Sequence, residues 1–322
     1  PHEVRMNAPH EPPSSGAGPD AQSGAAGSGQ TEWERGRFAG QGARRVLFGA
    51  MYEDSAIERS VFAPGGRVFC IASSGDTAFA LSAAHAVLAV DINPVQLAYA
   101  QARAAGAPRV TGTAEHVMAL GRSAMRLAGW SRARIEAFLA FTDCGAQLNY
   151  WHTHLDTRRF RLANDALLSV SALKAVYSSG LLASLPDHFG RVLRARLERC
   201  FARHPNALNP YARLLFAGEA DARLPQRPAG EVQWVEGDAA GVLEAEPAAS
   251  IAGFTLSNIL DGATPAYRAR LAAAVRRAAA PGAMLVLRSF GEPPANLAGN
   301  RAADDRSMLW GVVEVRLAAT WT

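Results

Sequence analysis

At 322 residues, with 49% hydrophobic and 19% charged side chains, the chain has the composition of a soluble globular protein able to bury a large core. Thirty-three basic and 29 acidic residues leave a formal charge of +4, and the arginines are scattered through helical segments rather than gathered in a run, which argues against a nucleic-acid partner. Three cysteines (Cys70, Cys144, Cys200) without CxxC spacing argue against a disulfide framework or a zinc site, no apolar run reaches the roughly 18 residues of a bilayer-crossing helix, and the expected location is a reducing cytoplasm.

Residues 1–30 are rich in Pro, Gly, Ser and Ala and are expected to form a disordered tail, because so few large apolar side chains cannot offset the entropy of ordering. Ordered sequence should begin near Glu32, with one or two short helices before the Pro64-Gly65-Gly66 turn. Arg67 to Ala72 is a continuous apolar run and reads as a strand buried on both faces. A helix over Thr77–Ala84 follows, then a strand over Val87–Val90 closed by Asp91, then a helix over 94–104 with Pro94 in its first turn.

From about 115 to 228 the pattern becomes helical, with arginine-rich amphipathic segments at 116–128, 131–142, 157–181 and 188–203. Leu167, Leu168, Val170, Leu173 and Val176 give one stripe at helical spacing. His152 and His154 flank one residue, but no cysteine or acidic cluster accompanies them in sequence, and no metal is expected there. The α/β pattern then resumes with strands at Val232–Val235 and Ile251–Leu256, a helix over 265–279 and a strand over Ala283–Arg288. The expected architecture is an α/β domain built from 31–114 and 229–322, holding an open, mostly parallel sheet, with 115–228 as a helical insertion.

Ligands of such sheets sit beyond the carboxyl ends of the strands. Three candidate elements fall there: Ser73-Ser74-Gly75 after the first strand, Asp91 after the second, and Asp238 after Gly237. Gly75 permits close backbone approach, Asp91 is placed to accept both hydroxyls of a ribose, and Asp238 to accept from an exocyclic amine such as that of adenine. Neither GxGxxG nor GxxxxGK is present, so the turn is not furnished for a pyrophosphate. A nucleoside without phosphates removes that requirement, and S-adenosylmethionine is such a ligand. Tyr52, Tyr177 and Tyr211 are candidate aromatic partners for its sulfonium, although Tyr177 or Tyr211 taken alone reads more readily as a half-buried helix aromatic.

The chain resembles a family, the S-adenosylmethionine:diacylglycerol 3-amino-3-carboxypropyl transferases of betaine-lipid synthesis and their smaller bacterial relatives, which include azetidine-2-carboxylate synthases. The resemblance rests on MYEDS (51–55), IASSGDTAFAL (71–81), AVDINPVQLAYAQ (89–101), LPDHFGRVLRARLERCF, NPYARLLFAG and FTLSNILDG, and spans about residues 45–290. It implies the class I S-adenosylmethionine-dependent methyltransferase fold, Rossmann-like, with a helical insertion. It also implies that the Cγ of the methionine moiety is attacked and 5′-methylthioadenosine leaves. The attacking group is either the α-amine of S-adenosylmethionine itself, closing azetidine-2-carboxylate, or an external hydroxyl such as that of diacylglycerol. The absence of a basic amphipathic helix with Trp or Phe anchors favours the first. Asn209 or Ser257-Asn258 would then orient the amine or carboxylate, Tyr177 or Tyr211 would face the sulfonium, and Arg159 or Arg288 would pair with the carboxylate. A small-molecule methyltransferase and a non-catalytic cofactor sensor are the alternatives.

Overall fold

The runs Arg67–Ile71, Ala86–Asp91 and Ile251–Thr255 bury their central residues on both faces, as strands inside a parallel sheet do. In the computed structural model, which describes residues 44–174, 179–295 and 297–322, they form β1, β2 and β4 of a six-stranded sheet. The remaining strands are β3 (Val232–Glu236), β5 (Ala279–Ser289) and β6 (Val312–Leu317). The order is β3-β2-β1-β4-β5-β6, parallel throughout except for the antiparallel β5–β6 edge. This is the Rossmann-like α/β arrangement typical of class I methyltransferases, as the sequence leads one to expect. The order reverses between β1 and β4, which opens a crevice at the carboxyl ends of these strands. The tail expected at 1–30, the start of order expected near Glu32, and both Val176 and Tyr177 lie outside the described residues.

Alternation along β1 shows how the sheet is covered. Phe69 joins Leu88, Phe254 and Leu285 in a core with α12 and α13, the helices Ala239–Ala245 and Pro265–Ala278. Val68 and Cys70 point the other way, into a core with α1 (Ala56–Val61), α2 (Asp76–Leu81) and α3 (Pro94–Ala104). Side chains two apart share a face, so one five-residue strand supplies both layers.

Between α3 and β3 lies a helical insertion whose helices are α4 (Thr113–Leu127), α5 (Arg132–Leu139), α6 (Cys144–Tyr150), α7 (Arg158–Leu167), α8 (Val170–Leu173), α9 (Ser179–Ala183), α10 (Phe189–Phe201) and α11 (Pro210–Phe216). Its core is aromatic: Trp130 stacks on Phe160 at 4.6 Å, and Phe138 meets Phe201 edge-on at 4.9 Å. Trp151 sits among them on a π-helical turn (Trp151–Leu155) that continues α6. Ala50, Tyr52, Met308 and Leu309 belong to the same cluster, so this core extends into the α/β part.

The 157–181 segment is not one helix. It breaks after Leu167, and Ser169 caps α8 by accepting from the Ala172 N–H at 3.3 Å. The stripe read across it is split as well: Leu173 is buried, whereas Val170 is 64% exposed. Helices α6, α11 and α12 and the edge strand β6 are not anticipated by the sequence reading.

Candidate functional site

A cleft opens at the switch point, lined by the strand ends Ser73, Asp91, Asp238 and Ser257-Asn258 and walled by Leu47, Phe48, Ile92, Ile259 and Tyr267. Asp91 closes β2 and is held by two amides: Oδ2 accepts from the Ser73 N–H at 3.0 Å and Oδ1 from the Asn93 N–H at 2.9 Å. Each oxygen retains a lone pair, enough for two neighbouring hydroxyls. Burial raises this carboxyl to about 7, against the pull of the two amide donors.

Ser73 has φ 44° and Ser257 has φ 53°, left-handed backbone without glycine at the ends of the two strands that flank the switch point. Such strain costs about 1–3 kcal/mol per residue and concentrates where ligands bind. Gly75 has φ 90°, and a Cβ there would lie 2.7 Å from the Phe79 ring. The single glycine therefore answers to the turn's own geometry. Ser74 faces inward, with its hydroxyl donating to Asp76 Oδ2 at 2.7 Å and its carbonyl accepting from Arg103 at 2.6 Å. Ser74 and Gly75 shape the turn, while Ser73 is the member that lines the cleft.

Asp238 caps α12 through Oδ2, which accepts from the Gly241 N–H and from Arg270, both at 2.9 Å. Its Oδ1 is buried and has no donor at full hydrogen-bond geometry, and the neighbouring Tyr267 hydroxyl is pushed up by burial and then by its side-chain interaction with this carboxylate. A weakly satisfied carboxylate oxygen on a cleft wall is placed to meet an amine N–H from a ligand. Asn258 donates to Asp261 at 3.4 Å, and Ser257 donates to Glu53.

Other candidates are not brought to the cleft. Arg288 is fully buried and does not line the cleft, and four of its five N–H groups are held by Glu58 (two), by Asp305 at 3.2 Å and by the Asp54 carbonyl at 3.2 Å, so it is not placed to meet a ligand carboxylate. Asn209 caps α11 through the Tyr211 N–H at 3.0 Å and donates to the Arg306 carbonyl at 2.8 Å. Tyr211 donates its hydroxyl to the Glu53 carbonyl at 2.6 Å with its ring in the insertion's core, and Tyr52 is buried in the same core. Arg159 is exposed on α7, away from the cleft lining. Tyr177 lies outside the described residues.

Sequence reasoning passes over Gln96, whose Oε1 accepts from the Leu47 and Phe48 N–H groups at 2.8 and 3.1 Å and whose Nε2 donates to the Phe48 carbonyl at 2.9 Å. Gln96 thus straps residues 47–48 onto the cleft. The available signal is its place three residues into the helix that Asn93 caps, beside Asp91. Compared with protein-family models, with curated proteins and with solved structures, the chain matches none. Fold and cleft geometry are therefore what bear on function. Among the described residues, no helix is long and apolar enough to cross a membrane. His152, Asp156 and Glu198 bring three ligand atoms within 4.8 Å of one another, but Arg161 holds both Asp156 oxygens at 3.0 and 2.6 Å, which leaves a poor place for a cation.

Proposed function

We propose that the protein is an S-adenosylmethionine-dependent enzyme that breaks the sulfur–Cγ bond, releasing 5′-methylthioadenosine as the α-amine closes azetidine-2-carboxylate. The observation that carries the nucleoside part is the pairing, on adjacent strand ends, of the Asp91 carboxylate with the weakly satisfied Asp238 carboxylate in a cleft without a phosphate-binding loop. Asp91 would hold the ribose hydroxyls, Asp238 the adenine amine, and Leu47, Phe48, Ile92 and Ile259 the faces of the base. Ser257 and Asn258 at the end of β4 would meet the amino-acid end.

The choice of sulfur–carbon bond rests on the sequence resemblance through MYEDS, VDINPVQL and SNILD. The protein's contribution to such a displacement is positional: nucleophile, Cγ and sulfur must be held in line. Incubation with S-adenosylmethionine alone tests the reading. 5′-Methylthioadenosine together with azetidine-2-carboxylate is the expected result. 5′-Methylthioadenosine that forms only with an added alcohol such as diacylglycerol indicates transfer instead. S-adenosylhomocysteine formed with a small-molecule acceptor indicates a methyltransferase, and stoichiometric binding without turnover indicates a sensor.

A further inference from the structure

Glu53 is 6% exposed and stands directly behind the cleft. Its Oε1 accepts from the Ser257 hydroxyl, and its Oε2 has no hydrogen-bond partner. The nearest cation is Arg288, with Nη1 at 3.6 Å, but that guanidinium is shared with Glu58 and with Asp305 at 3.2 Å. Three carboxylates thus surround one guanidinium, and Glu53 has the longest contact of the three. A buried, undercompensated carboxylate is expensive, and such groups concentrate at functional sites. One hydroxyl separates it from the cleft. That hydroxyl is Ser257 Oγ, on a residue whose left-handed backbone sits at the end of β4 on the cleft lining.

Resting on the reading above, we propose that Ser257 and Glu53 form a proton relay that deprotonates the attacking nucleophile. A proton of the α-ammonium passes to Ser257 Oγ as the Ser257 proton passes to Glu53. The freed nitrogen pair forms the N–Cγ bond while the Cγ–S bond breaks. The electrons of that bond go to sulfur, leaving a neutral thioether, and the ring nitrogen keeps two hydrogens and one positive charge. Glu53 acts through Ser257 and is a positioning residue, whereas Ser257 is the group that touches the substrate.

The groups facing Glu53 are Ser257 from β4, Arg288 from β5, Glu58 from α1, Asp305 from the segment before β6 and Cys70 from β1. Burial raises the Glu53 carboxyl to about 7; Arg288 and the Ser257 hydrogen bond oppose this, and Glu58 and Asp305 add to it. Because the folded value lies above the unfolded one, this carboxyl's contribution to stability is present below the ordinary carboxylate range and is lost as pH rises through about 7.

The test compares wild type with Glu53→Gln, an isosteric change that cannot accept the proton. Three quantities are measured across about pH 5.5 to 8.5: 5′-methylthioadenosine release, with and without an acceptor alcohol; S-adenosylmethionine affinity by calorimetry; and melting temperature of the free protein. Wild-type release should rise as pH passes through about 7. Glu53→Gln should lower the rate about 100-fold or more, abolish that rise and leave affinity within about threefold. The wild-type melting temperature should fall relative to that of the variant over the same pH span. Ser257→Ala, which keeps Glu53 but removes the relay, should reproduce the loss of rate. If Glu53→Gln does not fold, Ser257→Ala decides by rate and pH profile. A variant within about threefold of wild type, with the wild-type profile, overturns the relay and leaves the proposed reaction standing. A wild type that releases no 5′-methylthioadenosine under either condition overturns both.

Discussion

In the proposed reading Asp91 is the residue on which ligand recognition turns, and its chemistry fixes the sign of a pH effect. In the free protein burial holds its carboxyl near 7, whereas hydroxyl donors favour the charged form. S-adenosylmethionine binding should therefore release a proton and tighten as pH rises through about 7, and calorimetry in two buffers of different ionisation heat reads that proton. Asp91→Asn should weaken binding about 10- to 100-fold, the worth of roughly 1.5–3 kcal/mol in hydrogen bonds to a charged group, and flatten the pH dependence. An unchanged affinity would remove Asp91 from the ribose. Gly75→Ala should destabilise by about 1–3 kcal/mol in urea titration, because its φ of 90° is a glycine conformation and the new Cβ meets Phe79. The strand-end positions of Asp91 and Asp238 are legible in the sequence because each closes or follows a short run rich in apolar residues. Arg288 is misread for a different reason: its partner Glu58 lies 230 residues away, and nothing local marks an arginine as already committed.

The segment around Met51–Glu58 shows what elements add to residues. Met51 N–H donates to Asp76 at 2.9 Å, Asp54 is gripped by Arg306, and Glu58 shares Arg288 and accepts the Thr255 hydroxyl at 2.8 Å. Together these contacts fasten the chain before β1 to the turn after β1, to β4 and β5, and to the segment before β6. Arg288→Met would leave Glu58 and Asp305 buried beside Glu53 without their cation, and should cost about 3–5 kcal/mol, read as a lowered urea midpoint at constant slope. A loss below about 1 kcal/mol would mean that the carboxyls are neutral without it. Legibility of the elements follows their length and environment. The central strands and the 11-residue α3 are plain, since apolar runs and a proline at the first turn mark them. Helices α11 and α12, seven residues each, are too short for a 3.6-residue period to emerge. Strand β6 carries Glu314 and Arg316 on an edge, where one-sided burial dilutes the apolar signal.

For the molecule as a whole, the arrangement of cores predicts that the insertion and the sheet unfold together. Helix α10 is fastened to the segments flanking the β5–β6 connection: Arg196 donates to the Leu309 and Phe290 carbonyls at 2.9 Å and to that of Gly291 at 3.1 Å, and Arg199 donates to that of Trp310 at 2.8 Å. Tyr211 ties α11 to the Glu53 carbonyl, and Ala50, Tyr52, Met308 and Leu309 are buried in the insertion's aromatic core. Exposing either part alone would strand these buried carbonyls and open that core to water, so a half-unfolded state should be scarcely populated. Urea unfolding followed by far-ultraviolet dichroism reports both parts. The fluorescence of a variant that keeps Trp130 and Trp151 but has Trp234, Trp310 and Trp321 replaced by Phe reports the insertion alone among the described tryptophans. The two midpoints should coincide. Separated midpoints, with the insertion melting first, would show that the shared core is too weak to couple the parts. The Arg196→Leu change, which removes the donor of three carbonyl contacts at once, should bring the molecule nearer to that separation by lowering the insertion's midpoint more than the sheet's.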